Sequence, residues 1–565
     1  MKMIQRDEAR NTRPALVAGF FYLLSVYFLL FFGLGQRSLI GSEDRWAEIA
    51  RNMRMYGDWF HPIINGEVYF DKPLLSYWLI VLASYCTNGL SELSVRLPGA
   101  VSALITLFCS YTIAREWFDR RVAWLSVCLS ITSYGFLFWS HTASAELSNL
   151  ALITMAVAWF VVRRERTDFS SYLVFYLLCA VGCQLKGLTA LVVPLLVILP
   201  HLLRHRMWRS HLNIAHFLAA GISLSVFLLP YLGASSHPLP SGIEAQQNHL
   251  SGLDLLVREN IVRFFKPFDH VGPFYSYLYE VPRILFPWMF LFLAGLFHFW
   301  SRYKKLGESH RWLLEAIALV FLFFTFSGSR RWYYILPIMP LCMILSSSYL
   351  LEDEGQKWRR LVMQLTCAVL VAGAALLLVF PLVIHFYSSD LPIPTDFLVG
   401  SASIGIGTVV LILLHKYRAN DLRKLTCIDS SLPVLMPFLL LVATIEMSVI
   451  FSLVLPGTDS YRQLKPFAQS LSRRLAPTDQ LSFFGATNTA LTYYLNVNHA
   501  IPVVRSRNDL SDSRGKWIII AEKADLERLF SEFPNLRSAP PVLREKQTAS
   551  NALFDNSGLV AYRLN

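Results

Sequence analysis

Apolar residues in this chain come in long unbroken runs, with neither the two-residue alternation of a half-buried strand nor the one-sided stripe of a surface helix. The runs fall near 15–35, 95–114, 122–139, 143–162, 170–184, 187–203, 213–232, 282–300, 312–328, 332–351, 361–385, 397–414 and 432–455, thirteen in all. A bilayer core is crossed by roughly 20 apolar residues in helical form, so each run predicts a transmembrane helix. A further apolar stretch, 74–90, holds Tyr77, Trp78 and Tyr85 and is expected to lie in the headgroup region, as are Trp46 and Ile49 in the segment before it. After Leu455 the pattern changes. A helical run from Tyr461 to Leu475 and strand-like segments at Gln480–Phe484 and Trp517–Ala521 predict a small α/β unit. The expected division is 1–455 for a membrane-embedded catalytic domain and 456–565 for an extracytoplasmic α/β domain.

Charge gives the runs a direction. Arg115/Arg120/Arg121, Arg163/Arg164/Arg166, Arg204/Arg206/Arg209, Arg302/Lys304/Lys305, Lys357/Arg359/Arg360 and Lys416/Arg418/Arg423/Lys424 occupy every second loop. Positive loops stay cytoplasmic, which puts the N-terminus inside and the residues after Leu455 outside. A span at 74–90 would invert every later loop, which is why that segment is laid on the surface. The composition agrees: 54% of the 565 residues are hydrophobic, and the mean hydropathy is +0.43. The net charge of +12 then reflects topology, with no nucleic acid partner implied. The eight Cys include no CxxC pair, and Cys109, Cys128, Cys179, Cys183, Cys342 and Cys367 lie inside apolar runs, where they read as small hydrophobes.

The outer face then carries the chemistry. Between Ser42 and Pro73 stand six acidic residues among several aromatics, far more than a connecting loop needs. Glu43 and Asp44 can act as general bases or serve as solvated acids beside Arg45. Lys72, between Asp71 and Pro73, can hold a phosphate or anchor an interfacial helix. Glu146 sits at the outer end of an apolar run, where an ionisable group is costly and faces a cavity or a partner; Lys186 has a similar position and a weaker case. In the second outer loop Arg263 suits bidentate phosphate binding or a salt bridge to Glu259, and His270 suits a metal with Asp71 or an ordinary hydrogen bond. Arg330 and Arg331, in an outer turn before Trp332-Tyr333-Tyr334, break the charge rule and ask for an anion such as a lipid phosphate.

Taken in order, these segments resemble the GT-C membrane glycosyltransferases of the aminoarabinose transferase and protein O-mannosyltransferase group. In that family an acidic pair followed by Arg-Tyr-Ala-Glu opens the first outer loop, Tyr-Phe-Glu-Lys-Pro-Pro follows, and Tyr-Ile-Leu-Pro begins a late span. Here the matching residues are Glu43 to Glu48, Tyr69 to Pro73 and Tyr334 to Pro337. The resemblance implies the GT-C fold over the whole chain, with about thirteen spans, interfacial helices in the first outer loop and the C-terminal unit. It implies inverting transfer of a sugar from a polyprenyl-phosphate donor to a lipid or glycan acceptor, lipid A above all, at the outer face of a bacterial inner membrane.

By the resemblance and the charge pattern, Lys72, Arg263, Tyr334 and Arg330 are expected at the donor phosphate. Glu43, Asp44 and Glu146 are expected as the catalytic acids, with Arg45, Asp71 and His270 orienting the acceptor. No cofactor is required, and a divalent metal on Asp71 and His270 is the lesser alternative. Three departures stand out: Ser42 replaces the family's first acid, Asp71 replaces a Glu, and Asn260 stands where a His is usual. The rival readings are transfer to protein Ser/Thr or a surface glycan, and a lipid-linked sugar binding or transport protein without chemistry.

Overall fold

The computed structural model describes residues 22–240, 271–352, 354–387, 398–408, 435–510, 516–545 and 558–564, with a few isolated positions between them. Arg263 and His270 lie outside the described residues.

Each of the thirteen apolar runs falls on helix, wholly or in part. Seven described helices are long and apolar enough to cross a membrane, and nine if two bent pairs each count as one. The remainder fall short of that length: Thr189–Arg204 has 16 residues, Leu336–Leu350 is also below it, and the helical residues at 22–30 and 398–408 border undescribed ones. The bent pairs are Arg120–Ile131 with Tyr134–Ser140, at 63°, and Ser276–Leu285 with Met289–Ser301, at 119°. Helix starts are set by side-chain caps. Ser91 with Ser94, Asp119, Asp168 and Asn213 each accept from the first turn of the helix they precede. The helices are apolar around most of their circumference, and Ile214, Phe217 and Leu229 on Ile214–Ser236 stand exposed, as lipid-facing residues do.

Four helices are labelled here: α1, Glu43–Tyr56; α2, Leu75–Cys86; α3, Glu92–Trp117; and α4, Glu146–Arg163. The 12 residues of α2 rise only about 18 Å, short of a ~30 Å hydrocarbon core. Trp46 of α1 stacks on Tyr77 of α2 at 4.9 Å, and the two helices share a core with Ile49, Ala50, Met53, Ile80 and Val81. Between them Ile63–Ile64 and Glu67–Val68 pair as a short antiparallel hairpin. Its turn is Asn65-Gly66, with φ of 48° and 84°, the left-handed pair that a two-residue hairpin turn requires.

The C-terminal segment forms a five-stranded sheet in the order Val503–Val504, Asp479–Phe484, Lys516–Ala521, Val560–Arg563, Leu543–Arg544. The first three strands are parallel and the last two antiparallel. This unit grips the segment between the first helix and α3. The Asn65 side chain donates to Ile501 O and accepts from Ile501 N, both at 2.8 Å, while Tyr494 Oη accepts from Leu39 N at 2.8 Å and donates to Glu92 at 3.1 Å. Replacing Asn65 by Gly keeps the turn conformation and removes both bonds. In Asn65→Gly, hydrogen exchange at the Ile501 amide is expected to speed up at least tenfold while α3 is unchanged; equal protection at Ile501 would show that the side chain does not hold the two units together.

Candidate active site

Loops and helix ends converge on two adjoining cavities. The larger, about 300 Å³, is mostly apolar, walled by Leu188, Val192, Tyr231, Phe323, Phe324 and Pro337, with Lys186 and Asn149 among its polar residues. The smaller, about 180 Å³, is polar and is lined by Ser42, Arg45, Tyr69, Ser144 and Arg331 among others. Both are bordered by the same five residues, Asp71, Lys72, Glu146, Tyr333 and Tyr334, which therefore stand between an oily compartment and a charged one.

The shared wall is a lattice of opposed charges. Lys186 ends its helix at Gly187, whose φ of +85° turns the chain back and leaves the ammonium pointing across to Glu146, the first residue of α4. The two form an ion pair, and Lys186 Nζ lies 4.7 Å from the Tyr334 ring centre and 5.2 Å from that of Tyr333. Lys72 pairs with Asp71 at 3.2 Å and Arg45 reaches the same carboxylate at 3.7 Å, while Arg45 donates to Tyr69 Oη at 2.7 Å. Arg331 donates to Tyr333 Oη at 2.8 Å. Four cations thus surround two carboxylates, an arrangement that can accept a further anion between them.

The expected site residues divide between the cavity walls and positions outside them. Lys72, Glu146, Tyr334, Arg45 and Asp71 all line the cavities. Glu43 lies apart from both. It is fully buried, its oxygens accept from Arg96 Nε and Nη2 at 2.8 and 2.7 Å, and they accept again from Ala143 N at 2.8 Å and Ile40 N at 3.0 Å. With four donors on two oxygens the carboxylate ties segments of chain together as a strut, away from the cavities where it was expected. Arg330 is likewise structural, donating to Gly272 O at 2.7 Å and to Thr325 O at 2.9 and 3.2 Å from outside both cavities. Asp44, between the cavity residues Ser42 and Arg45, accepts from the Arg45 amide at 2.8 Å, and burial raises its pKa above the usual carboxylate value.

The sequence reading undervalued Lys186, marked Arg331 with Arg330 as an anion-seeking pair but carried only Arg330 to the donor phosphate, and passed over Arg96. Arg96 carried a signal, being a full charge within the first turns of an apolar run. A divalent metal on Asp71 does not fit the residues described, since Lys72 and Arg45 already hold that carboxylate and would repel a cation.

The arrangement of helices is that of a GT-C membrane protein. It superposes on the crystal structure of ArnT from Cupriavidus metallidurans bound to undecaprenyl phosphate with a TM-score of 0.72 at 18% identity, covering 96% of this chain and 97% of that one. The sequence profile of the dolichyl-phosphate-mannose-protein mannosyltransferases matches residues 71–231. The undecaprenyl phosphate-alpha-4-amino-4-deoxy-L-arabinose arabinosyl transferase of Aeromonas salmonicida is 30% identical over 379 residues, 63% of this chain and 66% of that protein, just under two thirds of its length. The enzyme of the same description in Shewanella sediminis is 27% identical over 401 residues, 69% of this chain and 68% of that one. The chain thus has the fold of the aminoarabinose transferase, is similar in sequence to such transferases and to the protein mannosyltransferase profile, and is an integral membrane protein.

The strut has a measurable signature. Burial by itself opposes ionisation of Glu43, but the Arg96 guanidinium and its hydrogen bonds outweigh it and hold the pKa below the usual value. A depressed carboxylate contributes stability above its unfolded pKa, about 4.3, and loses that contribution as pH falls through the folded value. Glu43→Gln leaves a buried guanidinium without its counter-charge, so a loss of about 3–5 kcal/mol is expected. The check is the thermal midpoint in detergent at neutral pH, where an unchanged midpoint with lost transfer would restore Glu43 to the chemistry.

Proposed function

We propose that this protein transfers a sugar from a polyprenyl-phosphate carrier to an acceptor at the outer face of a bacterial inner membrane, the acceptor being lipid A or another lipid or glycan phosphate. The observation that supports this reading is the shared wall: a phosphate between Lys72, Arg331 and Tyr334 leaves its prenyl chain in the apolar cavity and its sugar in the polar one. The names of the relatives, which specify an undecaprenyl-phosphate-linked aminoarabinose, agree with it.

In this reaction an acceptor oxygen forms a bond to the anomeric carbon while the bond from that carbon to the phosphate oxygen breaks, with inversion, and the electron pair leaves on the phosphate. Cations and a phenol already in position stabilise that charge without reorganisation. Lys72, Arg331 and Tyr334 take this role, and Arg263 is assigned to it by the family resemblance. Glu146 and Asp71 are the carboxylates that face the polar cavity, and Asp44 is the acid between its lining residues Ser42 and Arg45. Ser42 lines the polar cavity where the family carries its first acid. A phosphate acceptor is ionised at neutral pH and needs little base, so Ser42 disfavours a protein hydroxyl as acceptor.

The same serine is the specific observation behind a second reading, a lipid-linked sugar binding protein without chemistry. Mass spectrometry of the detergent-purified chain separates these readings from others. A polyprenyl phosphate is expected to co-purify, and Lys72→Ala is expected to reduce its retention at least tenfold. If none co-purifies and added undecaprenyl phosphate leaves the thermal midpoint unchanged, both readings fail. Transfer of labelled sugar to lipid supports the enzyme; label in protein alone overturns the lipid acceptor.

The proposed orientation puts the N-terminus in the cytoplasm, and both the first outer loop and the C-terminal α/β domain, 456–565, in the periplasm. Cys86, at the end of α2, is exposed. A membrane-impermeant maleimide is expected to label intact spheroplasts at Cys86, with the signal lost in Cys86→Ser. Labelling at this position only after lysis would reverse the orientation.

A further inference from the structure

At the opposite ends of the helices that wall the apolar cavity, a second cluster of metal-binding side chains has no part in the chemistry above. His201 and His205 are four residues apart at the end of the helix Thr189–Arg204, a spacing that puts both imidazoles on one face. Glu308 is the first residue of the facing helix Glu308–Phe326. Its Oε1 lies 3.0 Å from His201 Nδ1 and 2.6 Å from His205 Nε2, and all three ligand atoms fall within 4.8 Å of one another. His201 is buried, whereas His205 and Glu308 are about 40% exposed, so an ion has an anchored ligand and a path in from water.

We infer that His201, His205 and Glu308 form a binding site for a divalent transition metal of the zinc class. Two imidazoles and a carboxylate are the ligand types that zinc prefers among the biological divalent ions, and three protein ligands leave one position of a tetrahedron for water. Bonds of about 2.0–2.2 Å put neighbouring ligand atoms roughly 3.3 Å apart, so from the observed separations of 3.0 and 2.6 Å the His201 ring moves back from Glu308 by about 0.3 Å and the His205 ring by about 0.7 Å. Hard cations such as magnesium and calcium take oxygen ligands and do not suit a site with two nitrogens.

The site has a structural consequence. The same two helices are joined by an ion pair between Arg204 and Glu315 at 2.5 Å and by a bond from Trp312 Nε1 to Val197 O at 2.8 Å. A metal adds a third tie at the very ends. At their other ends these helices contribute Val192, Phe323 and Phe324 to the apolar cavity, so the metal fixes the spacing of two of its walls.

The test uses the full chain in detergent, with any polyhistidine tag removed, stripped by chelator and titrated with zinc against a chromophoric competitor. One zinc per chain is expected, together with a zinc-dependent rise in thermal midpoint. His205→Ala and Glu308→Gln, both at exposed positions, are each expected to weaken binding at least tenfold and to abolish that rise, while Asp71→Asn leaves zinc uptake unchanged. Absence of zinc binding by the unmutated chain overturns the inference, as does equal binding in both variants. Loss of binding in Asp71→Asn would move the metal to the donor site and overturn it as well.

Discussion

The half of this molecule that carries the two cavities hangs on one buried charge pair. Arg96, inside the first turns of α3, spends every guanidinium nitrogen on five hydrogen bonds: two to Glu43 and one each to the carbonyls of Leu34, Arg37 and Ser38. Glu43 in turn holds the backbone at Ala143 and Ile40. The chain leaving the first helix, the start of α1, the start of α3 and the loop before α4 are therefore fixed to each other through a single ion pair. A pair of this kind tolerates no partial version, because either charge left alone in that interior is far more costly than the pair.

With that frame fixed, the site needs little else to be precise. Ser42 and Arg45 flank the strut by one and two residues, so the polar cavity inherits its position from Glu43. Glu146 follows Ala143 by three residues and opens α4, so the second carboxylate is placed by the same bonds. Lys72 sits after a hairpin and before α2, held from below by the core that α1 and α2 share. The cations and acids at the wall remain close to one another because their backbones have nowhere to go, which is the preorganisation that charge stabilisation in a dry site requires.

Much of this was legible in the chain. The apolar runs gave the helices, the alternating basic loops gave two faces, and the breach of that alternation at Arg330 and Arg331 marked the turn beside the cavities. What sequence could not decide was which of two neighbours points inward. Successive residues on a helix differ by about 100° in direction, so Ser42 and Glu43, one step apart, face a cavity and a core respectively. Arg330 and Arg331 divide in the same way, one bonded to backbone and one lining the polar cavity. The pairing of Lys186 with Glu146 joins residues 40 apart, and that of Arg96 with Glu43 residues 53 apart, separations that no local pattern encodes. The Asn65-Gly66 turn, by contrast, announced itself as a hairpin in two letters and was passed over among stronger signals.

The grip of the C-terminal sheet on the loop between the first helix and α3 also orders the molecule in time. Asn65 waits for a partner 436 residues further along, and Leu39 for one 455 residues along. At about 5–20 residues per second, synthesis leaves the loop without that partner for roughly 20 to 90 seconds, while most of the intervening helices enter the bilayer. The loop that carries Lys72 is thus among the first parts of the chain to be delivered and among the last to be completed. The cavities beside that loop therefore reach their final shape only once the distant sheet has folded against it.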